Sequence, residues 1–191
     1  MASFQVPTRQ TVDATNQQVF DQLEKGLGFV PNLYATLALN PTALPDYLAL
    51  QNRKSTLKAK EREVVNLAVS QVNDCAYCLA AHTALGKMNG FTEDQILELR
   101  AGQASFDAKL DALAKFARET TLLRGKPRPD TTDELLATGF TQANLVDIIL
   151  LIGVKIVTNF LHGVTQVPID FPAAAVLPDT LARKVKAAVA A

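Results

Sequence analysis

Apolar residues along this chain recur at helical spacing and almost never alternate. No stretch shows the apolar–polar alternation between hairpin turns that marks a strand, so the pattern predicts an all-α fold. Val12 to Lys25 predicts a first helix, ended by Gly26 and Gly28. Pro31 suits the first turn of a second. Asn40-Pro41 punctuates, and Leu44 to Asn52 forms a third. From Lys58 to Val72, the residues Val64, Val65, Ala68, Val69 and Val72 make a helical stripe. Asn73-Asp74 breaks it and offers a cap to a helix from Cys75 to about Asn89, closed by Gly90. Thr92 with Gln95 reads as a capping box opening a short helix. Phe106 to Leu123 is the next helix, followed by the breaker Gly125 to Pro129. Thr131 with Glu134 reads as a second capping box, and Gly139 ends that helix.

Thr141 then caps a long helix through about Gly163 that is apolar on nearly every side. Such a helix is expected to be buried, in part by another subunit. As a membrane span, Leu145 to Leu161 is interrupted by Asp147 and Lys155 and falls short of the length required. The end of the chain, from Pro168, has the character of an arm carrying a small Ala/Lys-rich helix. A helical domain over residues 1–175 is therefore expected, with a C-terminal arm or short helix over 176–191.

Composition narrows the function. Hydrophobic residues make up 48% and charged residues 20%, which supports a real core and argues against disorder. Lys+Arg and Asp+Glu are 19 each, so no basic surplus exists to attract nucleic acid or an anionic membrane. The first residues show no basic region followed by an apolar run, which argues against a signal peptide and for a cytoplasmic protein.

The chain has two cysteines, three residues apart, too few for a secreted disulfide scaffold. Cys75, Cys78 and His82 fall at i, i+3 and i+7 on one helix, so all three project from one face. Cys78 and His82 stand one turn apart, which permits a thiol–imidazole contact. The pair also lies in the first turns of its helix, where free amide N–H groups and the dipole favour a thiolate. These are the local requirements for an activated cysteine with a resolving partner. Two other readings use the same residues. The cysteines can be plain core residues, or they can bind zinc with His82, although a closed zinc site usually has more sulfur or histidine ligands. A thioredoxin fold needs a βαβ context that this sequence lacks.

A carboxylate is expected to support the histidine. Glu61 and Glu63 both precede the turn at Asn73-Asp74. If the chain reverses there, Glu63 lies about 15 Å before the turn and His82 about 12 Å after it, so the levels match. Periodicity does not choose between the two acids.

The spacing Glu63-x11-Cys75-x2-Cys78-x3-His82 resembles the pattern of the AhpD-like alkylhydroperoxidase family, also called the carboxymuconolactone decarboxylase-like superfamily. Gly28 to Asn32, Asn40-Pro41 and Gly90 to Thr92 resemble its peroxidase-related branch. The resemblance implies an AhpD-like helical bundle with the CxxC at a helix N-terminus, assembled as a homo-oligomer, often a trimer or hexamer. It implies reduction of hydroperoxides through a dithiol–disulfide cycle, with a dithiol or thioredoxin-like reductant and no cofactor or metal. Cys78 would attack the peroxide, Cys75 would resolve the sulfenic acid, and His82 with Glu63 would form the proton relay. Tyr77 departs from the family's better-known members, which carry histidine there. Other activities within reach are a carboxymuconolactone decarboxylase-like lyase, which does not need the dithiol, and a redox sensor or assembly protein with negligible turnover.

Three residues outside the pattern stand out. His162, near the end of the long helix, suits a structural or interface role. Asp147 and Lys155 suit either an ion pair across an interface or a solvated edge.

Overall fold

In a computed structural model, residues 4–186 are described and fold into ten α-helices and a short 3-10 turn, with no strand among the described residues. Close contacts divide the chain into two units. One holds residues 4–54 and 160–170; the other holds 55–159 and 171–186.

The first unit is built on α1 (Ala14–Leu27), α2 (Asn32–Leu37) and α3 (Ala43–Gln51). Asp13 caps α1 by accepting from the amides of Thr15 and Asn16. Gly28 closes it in the left-handed region at φ 83°, which a residue with a Cβ seldom adopts. Phe20, Ala35, Ala38 and Leu44 bury their apolar faces together with Val12. Asp170 holds the start of α2: its Oδ2 accepts the Asn32 amide at 2.6 Å, while Asn32 Nδ2 donates to the Pro168 carbonyl at 3.0 Å. His162 is buried, with Nε2 3.2 Å from the Val167 carbonyl oxygen, which ties down the turn after its helix.

The second unit is organised around α4 (Ala59–Val72). Packed on it are α5 (Ala76–Met88), α6 (Glu93–Arg100) and α7 (Ala108–Leu122), with α8 (Pro129–Ala137) on α7. Val64, Val65, Leu67, Ala68 and Val69 of α4 are all fully buried, so this helix has no solvent face along its middle. Truncating one of them, such as Leu67→Ala, costs about 2–5 kcal/mol. The last long helix, α9 (Gln142–Thr165), contributes Ile148, Leu151 and Ile152 to the same core.

Four expectations are revised or sharpened. First, α8 opens at Pro129 rather than at a Thr131/Glu134 box. Proline suits the first turn, and the Thr131 hydroxyl instead donates at 2.7 Å to buried Glu119. Second, α9 has 24 residues, enough by length and composition to cross a membrane. Third, its own chain supplies half of the expected burial and leaves Val146, Ile149, Leu150 and Val157 exposed along one face. Fourth, Asp147 and Lys155 are both buried, so neither stands on a solvated edge. Asp147 accepts from the Ser55 hydroxyl at 3.1 Å and the Thr56 hydroxyl at 2.7 Å.

The C-terminal segment packs on its own chain. Leu177 and Val185 lie against Ala101, and Arg100 Nη1 donates to the Ala175 carbonyl at 2.6 Å. Its short helix, α10, spans Asp179–Lys186; the rest of the expected tail, 187–191, lies outside the described residues.

Candidate active site

The turn between α4 and α5 sets the site. α4 ends at Val72, and Asp74 takes the left-handed conformation at φ 51°, which reverses the chain within two residues. Asn and Asp tolerate this region better than most side chains. The Cys75 amide then donates back to the Ser70 carbonyl at 3.0 Å. Cys75 itself is the N-cap of α5, a role expected of Asn73-Asp74: its Sγ accepts the Cys78 amide at 3.4 Å. The dithiol therefore sits on the first turn of α5, among amides with no intrahelical partner.

The reversal brings Glu63 of α4 level with His82 of α5. Glu63 Oε2 lies 2.8 Å from His82 Nδ1, and Oε1 accepts from Asn66 Nδ2 at 3.1 Å. Glu61, also buried, faces away from the dithiol's histidine, accepting the Lys58 amide at 2.8 Å and Lys109 Nζ at 3.0 Å. The structure thus places Glu63, Cys75, Cys78 and His82 together and gives Glu61 a capping task.

The second ring nitrogen of His82 meets a residue of α9. His82 Nε2 meets Lys155 Nζ at 2.5 Å. With Nδ1–H directed at the Glu63 carboxylate, Nε2 is left to accept from the lysine ammonium, roles assigned from the partners. One turn further along α9, Asn159 donates to the Ser70 hydroxyl at 3.3 Å and accepts from Asn73 Nδ2 at 2.9 Å. Sequence reasoning missed Lys155 and Asn159 as site residues. The signal was their register: Ile148, Ile152, Lys155 and Asn159 share one stripe of α9, and all four are buried.

These neighbours set the charges. The Cys78 thiol is pulled down to about 5, first by the hydrogen bond from Cys75, then by Lys155, His82 and the Asn159 amide, against burial. Cys75 is raised, because its thiol hydrogen bonds to Cys78, it is buried, and it faces the Cys78 charge. Burial is the largest influence on Glu63 and opposes its charge. His82, Lys155 and Asn66 together outweigh it and hold the carboxyl below its ordinary value. Among the described residues no three His, Cys, Asp or Glu side chains converge as metal ligands. Tyr77 is buried edge-on against Phe171, with ring centroids 5.6 Å apart, beside the dithiol.

Fold and site together define an all-helical protein with an acidic thiol and a second thiol on one helix turn. Residues 41–119 match the carboxymuconolactone decarboxylase family. An uncharacterized peroxidase-related protein from Silicibacter sp. TM1040 is 25% identical, with TM-score 0.75 over 86% of this chain and 89% of that one. An uncharacterized peroxidase-related protein from Ralstonia eutropha JMP134, with an alkylhydroperoxidase AhpD core, is 21% identical, with TM-score 0.76 over 94% of each chain. The debrominase Bmp8 shares the fold at 17% identity and TM-score 0.69, over 91% of this chain and 92% of its own. The fold is thus that of AhpD-core and peroxidase-related proteins, and the segment that carries the dithiol matches the carboxymuconolactone decarboxylase family.

Proposed function

We propose that this protein is a thiol-dependent hydroperoxide reductase working through a Cys75/Cys78 dithiol–disulfide cycle. The observation that carries this reading is the pairing on one helix turn of a thiol held near 5 with a second thiol whose own ionisation is opposed. The thiolate is the nucleophile, and a neighbouring thiol that keeps its proton suits the resolving step. Cys78 attacks the distal peroxide oxygen, leaving an alcohol and a Cys78 sulfenic acid. Cys75 displaces the hydroxyl as water and forms the disulfide. Glu63 and His82 form the buried relay that sets charge and hydrogen bonding beside the dithiol. A dithiol or thioredoxin-like donor restores both thiols, as a cytoplasmic setting would allow. The working form is a homo-oligomer, consistent with the exposed apolar face of α9.

The test is steady-state consumption of a panel of hydroperoxides with several dithiol donors. Sustained turnover that is lost in Cys78→Ser and Cys75→Ser is the expected result. A dithiol that oxidises once and is not recycled by any donor points to a redox sensor instead. A protein whose thiols react no faster than free cysteine overturns the reading.

A further inference from the structure

His82 has two ring nitrogens, and both are taken. Nδ1 faces Glu63 at 2.8 Å and Nε2 faces Lys155 at 2.5 Å. A neutral imidazole offers one lone pair, and here the lysine occupies it. A proton leaving Cys78 therefore finds no free acceptor on His82. Lys155 lies on the buried stripe of α9, held by a histidine that is itself held by a carboxylate. Burying an ammonium among Ile148, Leu151 and Ile152 is unfavourable unless it meets negative charge. The charged and titratable groups gathered there are Glu63 from α4, Cys75, Cys78 and His82 from α5, and Lys155 from α9. Glu63 touches Lys155 through the imidazole and feels its charge across it, and the dithiol is the second place where negative charge meets the same ammonium.

We propose that Lys155 is the cation that pairs with the Cys78 thiolate and the acid that protonates the oxygen leaving from the peroxide, with Glu63 and His82 as positioning residues behind it. The proposal rests on the hydroperoxide-reductase reading for its second half only. The Cys78 thiolate donates an electron pair to the distal oxygen of ROOH, the O–O bond breaks, and that oxygen stays on sulfur with its hydrogen. The departing RO⁻ takes a proton from the Lys155 ammonium and leaves as ROH, so lysine becomes a neutral amine. The Cys75 thiol then attacks the Cys78 sulfur, and its proton accompanies the displaced hydroxyl as water. A dithiol donor reduces the disulfide, and one of its protons returns to Lys155. Cys78 is oxidised at each turnover, the peroxide is reduced, and the lysine's charge is restored.

Two variants separate the two roles. Lys155→Met keeps the length and apolar stem but removes the charge. Lys155→Arg keeps the charge but holds its protons too tightly to act as an acid. The first measurement needs no peroxide: thiolate absorbance against pH. Lys155→Met is expected to move the Cys78 midpoint up by about 1–3 pH units, the effect of losing a close opposite charge, while Lys155→Arg stays near wild type. The second is single-turnover oxidation by tert-butyl hydroperoxide and by peracetic acid, at a pH where Cys78 is ionised in every variant. An alkoxide needs a proton to leave and acetate does not. Both variants are expected to lose about 10²-fold or more with tert-butyl hydroperoxide and far less with peracetic acid. Circular dichroism checks folding in both. An unchanged midpoint in Lys155→Met overturns the pairing, and equal losses with both oxidants overturn the acid role. If wild type is oxidised no faster than a free thiol, the reductase reading and the acid role fall together, and the midpoint shift alone decides the pairing.

Discussion

Glu61 and Glu63 are two residues apart on α4, both buried, and they serve different ends of the molecule. Glu61 accepts the amide of Lys58 and the ammonium of Lys109, closing the first turn of its helix. Glu63 accepts from His82 and Asn66. The same substitution at the two positions should therefore fail in different ways. Glu63→Gln is expected to slow disulfide formation at fixed peroxide by about 10²–10⁴-fold, the cost of disabling acid catalysis when the group that orients His82, and through it Lys155, is lost. Glu61→Gln is expected to leave that rate near wild type and to lower stability by about 1 kcal/mol through the weakened cap. Oxidation rates with denaturant melts for both proteins check this; a large rate loss in Glu61→Gln alone would reverse the assignment.

Cys78 is expected to alkylate with iodoacetamide at a midpoint near 5, since Cys75, Lys155, His82 and Asn159 all favour its thiolate. Its reactivity is present above that pH and fades as pH falls through it. Cys75 is expected to resist labelling until far more alkaline conditions, its thiol being raised. Peptide mapping across the pH range tells the two apart. Mild peroxide should then produce a mass lower by two hydrogens, in a species no longer labelled at either position.

The Glu63 carboxyl lies below its ordinary value in the folded protein. A depressed carboxyl adds stability above its unfolded pKa and loses it as pH falls through the folded one. Glu63→Gln should thus be less stable than wild type at pH 7, and the gap should shrink on acidification below about 4.3, the free glutamate value. Urea midpoints at several pH values measure it. A gap that stays constant with pH would mean that the ionised carboxylate is not its source.

Val146, Ile149, Leu150 and Val157 form an exposed apolar stripe on α9, and a Cβ added at Gly153 on the same helix would meet nothing within 4 Å. A continuous apolar face of this kind favours burial against another chain, and a second copy of this chain is the expected partner. Light scattering at micromolar concentration should give a multiple of the subunit mass, and Ile149→Glu should reduce it. A wild-type protein that scatters as a single subunit removes the expectation.

The sequence made some of this arrangement readable and hid the rest for physical reasons. The α4–α5 hairpin was legible because a helical stripe, a two-residue polar break and Gly90 all fall in register with Glu63, Cys75, Cys78 and His82. Lys155 was not, because a helix with apolar residues on every side does not announce which face the core takes. Only the packing of Ile148 and Ile152 shows that Lys155 faces inward. The start of α8 was obscured in the same way, since Thr131 answers to Glu119, twelve residues earlier and on another helix. The choice between Glu61 and Glu63 could not come from periodicity, because α4 is buried on both sides and each acid has a partner.

Cys75 has a second occupation that a disulfide disturbs. Its sulfur is the acceptor for the Cys78 amide and so closes the first turn of α5. Once that sulfur is drawn into a bond with the Cys78 sulfur, it is displaced from the amide it accepts, and the amide looks to solvent or to a bound anion. Oxidation is therefore expected to loosen the first turn of α5, and reduction to rebuild it. The protein's redox state is recorded in its backbone as well as in its sulfurs, where the exchange rate of a single amide proton can report it.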